Sequence, residues 1–130
     1  MRATSQSSAL YVRKVRGMGR GVFAGRALCA GEVIEVCPVI VLPWGTEEEC
    51  LGGSLRCYVF KWGSAEDRLA IALGYGSLYN HSADPNAAFT PRHARNEIVF
   101  RAVRDIAAGE QILIDYRWDE ADYSSFRVPG

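Results

Sequence analysis

Three short stretches of this chain carry side chains whose type and spacing could do chemistry. Gly17-Met18-Gly19-Arg20-Gly21 alternates glycine with larger residues. Such a run can cradle an anion, because glycines let backbone amides approach a ligand closely. A dinucleotide fingerprint would open a long helix, however, and a phosphate loop would continue into Gly-Lys-Ser/Thr. Here Val22-Phe23-Ala24 follows instead, so for this motif alone a tight turn between strands is the better reading. Leu78-Tyr79-Asn80-His81-Ser82-Ala83-Asp84-Pro85-Asn86 packs amide, imidazole and hydroxyl groups into a turn-forming stretch. Asn and His offer donors and acceptors there, and Asp84-Pro85-Asn86 favours a turn that fixes them. A histidine so placed is more often structural than catalytic, and His93 is the other one in the chain, which gives no metal cluster and no Cys/His dyad. Tyr116 ends Gly109-Glu110-Gln111-Ile112-Leu113-Ile114-Asp115, a turn followed by an apolar strand. By itself it reads as an ordinary aromatic at a strand end.

The elements needed to hold these stretches are short strands. Leu10–Arg16 alternates partly and enters the glycine turn, and Val22-Phe23-Ala24 resumes a strand. Val33–Leu42 is rich in β-branched residues and reads as a strand, or a strand pair broken at Pro38 and Pro43. Thr46-Glu47-Glu48-Glu49 has capping-box form, with room for only a short helix before Gly52-Gly53. Leu55–Trp62 alternates weakly. Leu69–Leu73 is apolar and periodicity does not separate helix from strand, although a strand suits the neighbours better. Ile98–Val103 and Ile112–Ile114 complete the set. Many short strands, frequent glycines and little helix predict a compact, mainly β domain.

The bulk properties agree with one folded domain. The chain has 130 residues and its 15 basic and 15 acidic residues cancel, which argues against direct binding to nucleic acid. No apolar run approaches the roughly 20 residues of a membrane-spanning helix, and residues 1–10 lack a signal-like apolar core. A soluble, intracellular protein of the cytoplasm or nucleus is expected. Cys29, Cys37, Cys50 and Cys57 lack C-x-x-C spacing, so reduced thiols fit better than a zinc site or disulfides.

In order and spacing together, Gly17-Met18-Gly19-Arg20-Gly21-Val22-Phe23-Ala24, Tyr79-Asn80-His81-Ser82-Ala83-Asp84-Pro85-Asn86 and Gly109-Glu110-Gln111-Ile112-Leu113-Ile114-Asp115-Tyr116 resemble the signatures of the SET domain family of protein-lysine methyltransferases. The likeness is strongest to the small stand-alone viral members. It spans roughly Val12 to Tyr123 and includes Cys57-Tyr58-Val59-Phe60 and Leu73-Gly74-Tyr75-Gly76. It implies one SET domain over residues 10–123, with short tails at 1–9 and 124–130. The implied fold is β-clip-like, several small sheets with a C-terminal pseudoknot in which Ile112–Trp118 passes beneath Asn80–Asn86.

The resemblance also implies an activity: transfer of a methyl group from S-adenosyl-L-methionine to a protein lysine, with S-adenosyl-L-homocysteine as product and no metal. Met18, Gly19, Arg20, Asn80 and His81 map onto the family's cofactor contacts, and Trp118 or Tyr123 would pack near adenine. Tyr58, Ile114 and Tyr116 map onto the lysine channel, with Tyr116 catalytic. An aliphatic Ile114, where relatives carry Phe or Tyr, leaves the number of methyl groups transferred open. A cysteine cluster found C-terminally in many relatives is missing here, since no cysteine follows Cys57. Asp119, Glu120 and Asp122 would favour a basic peptide such as a histone tail, or form only a solvated face. A homodimer is plausible by the same resemblance, and no membrane or direct nucleic-acid partner is implied. Two alternatives stand beside this reading: a non-catalytic SET-like interaction module, and a methyltransferase of a non-histone protein.

Overall fold

The computed structural model describes residues 9–43 and 58–117. The capping-box helix expected after Thr46, Cys50 and Cys57, and the aromatic and acidic tail from Trp118 onward lie outside the described residues.

Among the described residues, nine strands form three sheets. β1 (Leu10–Val15) and β2 (Gly19–Ala24) make an antiparallel hairpin. β3 (Val33–Val41), β4 (Val59–Trp62), β5 (Arg68–Ala72), β7 (Ala87–Arg92) and β8 (Glu97–Ala102) build an antiparallel sheet in the order β4-β5-β3-β8-β7. β6 (Asn80–His81) and β9 (Leu113–Ile114) pair in parallel. Among the described residues, helix is confined to single 3-10 turns at Gly76–Leu78 and His93–Arg95.

Three local outcomes differ from the sequence expectation. Pro38 does not break β3; it stands where the strand changes partners. Residues Val33–Pro38 pair with β8 and Val39–Val41 with β5. The Pro38 carbonyl accepts the Leu73 amide at 2.9 Å, and Val39 supplies the next amide, to the Asn96 carbonyl. The missing proline N–H therefore costs no ladder bond. β7 was not anticipated, because Pro91 and two alanines dilute its alternation. It is an edge strand, where proline is tolerated. β2 starts at Gly19, so the glycine run is partly strand and its turn is confined to residues 16–18.

The core lies between the large sheet, the hairpin and the C-terminal segment. Phe100 is fully buried at its centre, with Tyr79 at 4.6 Å between ring centroids and Phe60 and Phe89 at 6.2 and 6.3 Å. Phe60 and Phe89 meet edge to face at 5.0 Å. Each such pair adds about 0.5–1.5 kcal/mol beyond the area it removes from water. Phe23 is buried beneath the Tyr11 ring and the Arg13 guanidinium, stacked at 5.6 and 4.2 Å, so a residue on the outer side of the hairpin is also shielded.

The expected pseudoknot is present. Along one edge, residues 109–112 bond to β2: Gly109 N–H to Ala24 O, Ala24 N–H to Glu110 O, and Ile112 N–H to Val22 O. Along the other edge, Asn80 pairs with Leu113 and His81 with Ile114, and the Ser82 and Asn86 amides donate to Ile114 O and Leu113 O. The C-terminal segment is thus clamped between β2 and the Asn80–Asn86 loop. Asn86 ties the crossing: its Oδ1 accepts the Leu113 amide at 2.8 Å and its Nδ2 donates to Gln111 O at 2.8 Å. It is the one fully buried polar residue among those described. Glu110 anchors the turn before the crossing. The Ala107 amide and then Arg104 and Asn86 hold its carboxyl below the usual range.

Candidate active site

A cavity of about 330 Å³ opens where the glycine hairpin, the 3-10 turn and the parallel strand pair meet. Met18, Arg20, Tyr58, Ser77, Leu78, Asn80, His81 and Tyr116 line it. A second, narrow space of about 10 Å³, walled by Val59, Phe60, Gly76, Ser77, Tyr79 and Tyr116, shares Ser77 and Tyr116 with it. That is room for about one water molecule.

Tyr116 is held at both ends. Its backbone amide donates to Nδ1 of His81 at 3.0 Å, and the two rings lie 5.1 Å apart. Its hydroxyl donates to the carbonyl of Tyr79 at 2.5 Å. Tyr79 and His81 flank Asn80, so the tyrosine spans this tripeptide from one side to the other. With Nδ1 as the acceptor, the His81 ring proton sits on Nε2. The 3.8 Å approach of Nδ1 to Asp115 Oδ1 is then no ion pair, because both atoms are acceptors. Asp115 instead accepts the Arg117 amide at 2.8 Å. Arg117 takes a left-handed conformation, φ 62°, and its guanidinium covers the Phe89 ring at 4.1 Å and donates to Phe89 O. The backbone at Arg117 is thus turned sharply and its side chain pinned.

Asn80 joins the hairpin to the knot. Its Nδ2 donates to Gln111 Oε1 at 2.8 Å and to Arg20 O at 3.2 Å. Gly21 makes that bridge possible: a Cβ there would lie 2.4 Å from Gln111 Oε1 and 2.9 Å from Asn80 Nδ2. Ser77 has a similar tying role. Its hydroxyl donates to Tyr58 O at 2.8 Å and accepts the Ala72 amide at 3.1 Å, which fixes the backbone on which Tyr58 stands.

Of the residues singled out in the sequence, Met18, Arg20, Tyr58, Asn80, His81 and Tyr116 come together around one cavity. Gly19 is opposite Val15 at the start of β2, and its neighbours on both sides line the cavity while it does not. Ile114 is fully buried in the hydrophobic core and lines neither space. Trp118 lies outside the described residues. Sequence reasoning passed over Ser77, Gln111 and the ring of Tyr79. Ser77 is a single polar residue between Gly76 and Leu78, Gln111 follows a charged residue in a turn, and Tyr58 and Asn80, to which they bond, lie 19 and 31 residues away.

A model of the SET domain family matches residues 19–117. The chain belongs to the SET domain family. Its mainly β architecture of small sheets and a knotted C-terminal segment is a SET fold. It is homologous over most of its length to histone-lysine N-methyltransferases. One is the H3 lysine-37 specific enzyme of Schizosaccharomyces pombe, 33% identical, with the match covering 96% of this chain and 86% of that protein. Another is human histone-lysine N-methyltransferase 2B, 32% identical over 82% of this chain and 4% of the human protein. Among solved structures, a Plasmodium falciparum protein proposed as a histone methyltransferase superposes with a TM-score of 0.65 and 27% identity, covering 88% of this chain and 97% of that one. Among the described residues, no helix is long and apolar enough to cross a membrane.

Proposed function

We propose that this SET domain methylates lysine on a basic protein tail, a histone first among candidates, in the nucleus and with S-adenosyl-L-methionine as methyl donor. The compact layout supports the reading of an enzyme of the small stand-alone type, since the match takes in most of the fission yeast relative. The observation that carries the proposal is the position of Tyr116, which is in the wall of both the large cavity and the narrow one beside it.

The large cavity suits the donor. Arg20 offers a cation for a carboxylate, Met18 and Leu78 offer apolar surface, and Asn80 and His81 offer fixed polar groups. When bound, S-adenosyl-L-methionine supplies an electrophilic methyl group. The protein's task is to present a neutral amine to it. Free lysine has a pKa of about 10.4, so roughly one in a thousand is neutral near pH 7. The narrow space walled by Tyr79, Phe60 and Val59 has room for about one water, so an amine entering it sheds most of its hydration, which disfavours the ammonium form. The single hydroxyl proton of Tyr116 is committed to Tyr79 O, so its lone pairs are what it can turn toward the amine. Tyr116 therefore aligns the amine by accepting from it and is not a general base, with proximity and orientation carrying most of the rate gain.

Two measurements test this reading. Calorimetric titration with S-adenosyl-L-methionine should give one site per chain. Incubation with labelled donor and a panel of histone and non-histone basic peptides, read by mass spectrometry, should place label on lysine and identify the preferred tail. A folded sample that binds no donor would mark the chain as an interaction module. Size measurement on the same sample reports whether it acts as the homodimer that the resemblance implies.

A prediction follows from the Gly21 bridge. Gly21→Ala should push the Gln111 and Asn80 amides apart while sparing the fold, because both clashing atoms, Gln111 Oε1 and Asn80 Nδ2, end side chains that can turn away. Donor affinity should fall about tenfold, the equivalent of one net hydrogen bond, with little change in melting temperature. Unaltered affinity would remove the bridge from donor binding.

A further inference from the structure

We propose that Glu35, on β3 and outside both cavity walls, is a positioning residue for methyl transfer, acting through Tyr79 on Tyr116. The inference rests on the methyltransferase reading above.

Three contacts form one line. Glu35 Oε1 accepts the Tyr79 hydroxyl at 2.6 Å, the Tyr79 carbonyl accepts the Tyr116 hydroxyl at 2.5 Å, and Tyr116 borders the narrow passage. The other carboxyl oxygen, Oε2, accepts the Tyr75 amide at 3.0 Å. One carboxyl group therefore fixes both ends of the segment Tyr75–Tyr79, which contains the 3-10 turn and Ser77, a wall of both cavities. Tyr79 is buried with its ring on Phe100. Burial, and then the neighbouring Glu35, push its phenol well above the ordinary tyrosine range, so it serves Glu35 as a donor throughout the working pH range.

The chain is built around this contact. Gly74 has φ 63°, and a Cβ there would sit 2.5 Å from Glu35 Oε2. At Gly76 a Cβ would meet Ala72 Cβ at 2.5 Å and Cys37 Sγ at 3.1 Å. The glycines on either side of Tyr75 thus admit the Glu35 carboxyl and the Cys37 side chain to the inner side of the turn. In an arrangement where Tyr116 works by alignment, a shift of the Tyr79 carbonyl moves the tyrosine hydroxyl with it.

The test uses Glu35→Gln and Tyr79→Phe, singly and together, in the full chain. Glutamine keeps an acceptor for one of the two donors but not both, and phenylalanine keeps the packed ring while removing only its hydroxyl. Each single variant should lower kcat about tenfold, in line with the rate cost of small misplacements. KM for peptide and affinity for S-adenosyl-L-methionine should stay within about twofold by the same reasoning. The double variant should be no slower than the slower single one, because both break the same line. The ratio of mono- to higher-methylated product should shift in all three, which loss of stability alone would not produce. A folded Glu35→Gln or Tyr79→Phe variant with wild-type kcat and product ratio, or rate losses that multiply in the double variant, would overturn the assignment. Failure of the wild-type chain to bind donor would overturn the methyltransferase reading beneath it.

Discussion

Tyr116→Phe should slow methyl transfer by about a hundredfold or more, the order of effect seen when one fixed polar group is removed from a reacting centre. Donor binding should remain within a few-fold. The separation arises because the hydroxyl bonds to Tyr79 O, while the backbone amide and the ring face His81. Phenylalanine keeps the second set and loses the first. Fold stability should drop by only about 1 kcal/mol, the net worth of one hydrogen bond. Steady-state kinetics with a basic peptide, beside calorimetry for the donor and a denaturant curve for stability, checks all three expectations. Near-normal turnover in a folded variant would take Tyr116 out of the reaction.

Much of the cavity was legible from the sequence because the residues lining it sit in compact runs. Met18 and Arg20 share a glycine run, Asn80 and His81 are adjacent, and Tyr116 follows an apolar strand, so family resemblance could carry them together. What supports them was less legible. Glu35 lies in a β-branched strand where a lone acidic residue looks like a solvent-facing position; nothing local reveals that Tyr79, 44 residues later, donates to it. Gln111 likewise has no visible purpose until Asn80 is brought within 2.8 Å. Ile114 shows the reverse limit. The resemblance assigns it to the lysine channel beside Tyr116, whereas in the structure Ile114 pairs with His81 in β9 and its side chain is fully buried in the core against which Tyr116 also packs.

For the fold, strand identity was readable where β-branched residues cluster, as in β3 and β8, and hidden where proline and alanine interrupt, as in β7. Pro38 was misread because a proline inside an apolar run normally ends a strand. Here the requirement it violates, a donated amide, disappears at the point where β3 passes from β8 to β5. Such an exchange of partners is a property of the whole sheet, and no window of sequence contains it.

The largest stability effect should come from Asn86, which was legible only as a turn former. Asn86→Ala removes the acceptor of the Leu113 amide and the donor to Gln111 O, leaving two backbone groups of the knot unpaired where they face a fully buried position. At about 1–3 kcal/mol for each unsatisfied group, the loss should reach about 3–5 kcal/mol, a large share of the roughly 5–15 kcal/mol that stabilises a domain. Asn86→Asp separates hydrogen bonding from size. The introduced carboxyl still accepts from Leu113, but it faces Gln111 O and lies near Glu110, whose Oε2 is 3.3 Å from the native Nδ2. Burial and these neighbours should raise its pKa in the folded state above the unfolded value of about 3.9. The folded variant then binds the extra proton more tightly than the unfolded chain does. Its deficit against wild type should be greatest at neutral pH and shrink as pH falls through the raised folded value. Urea denaturation of the three proteins across pH 5–8 measures this. An alanine variant within about 1 kcal/mol of wild type would mean that the knot does not depend on the buried amide. Because the same crossing sets β9 beside β6, both variants should also lose activity at temperatures where the wild type is still folded, as Tyr116 and His81 are held together by that pairing.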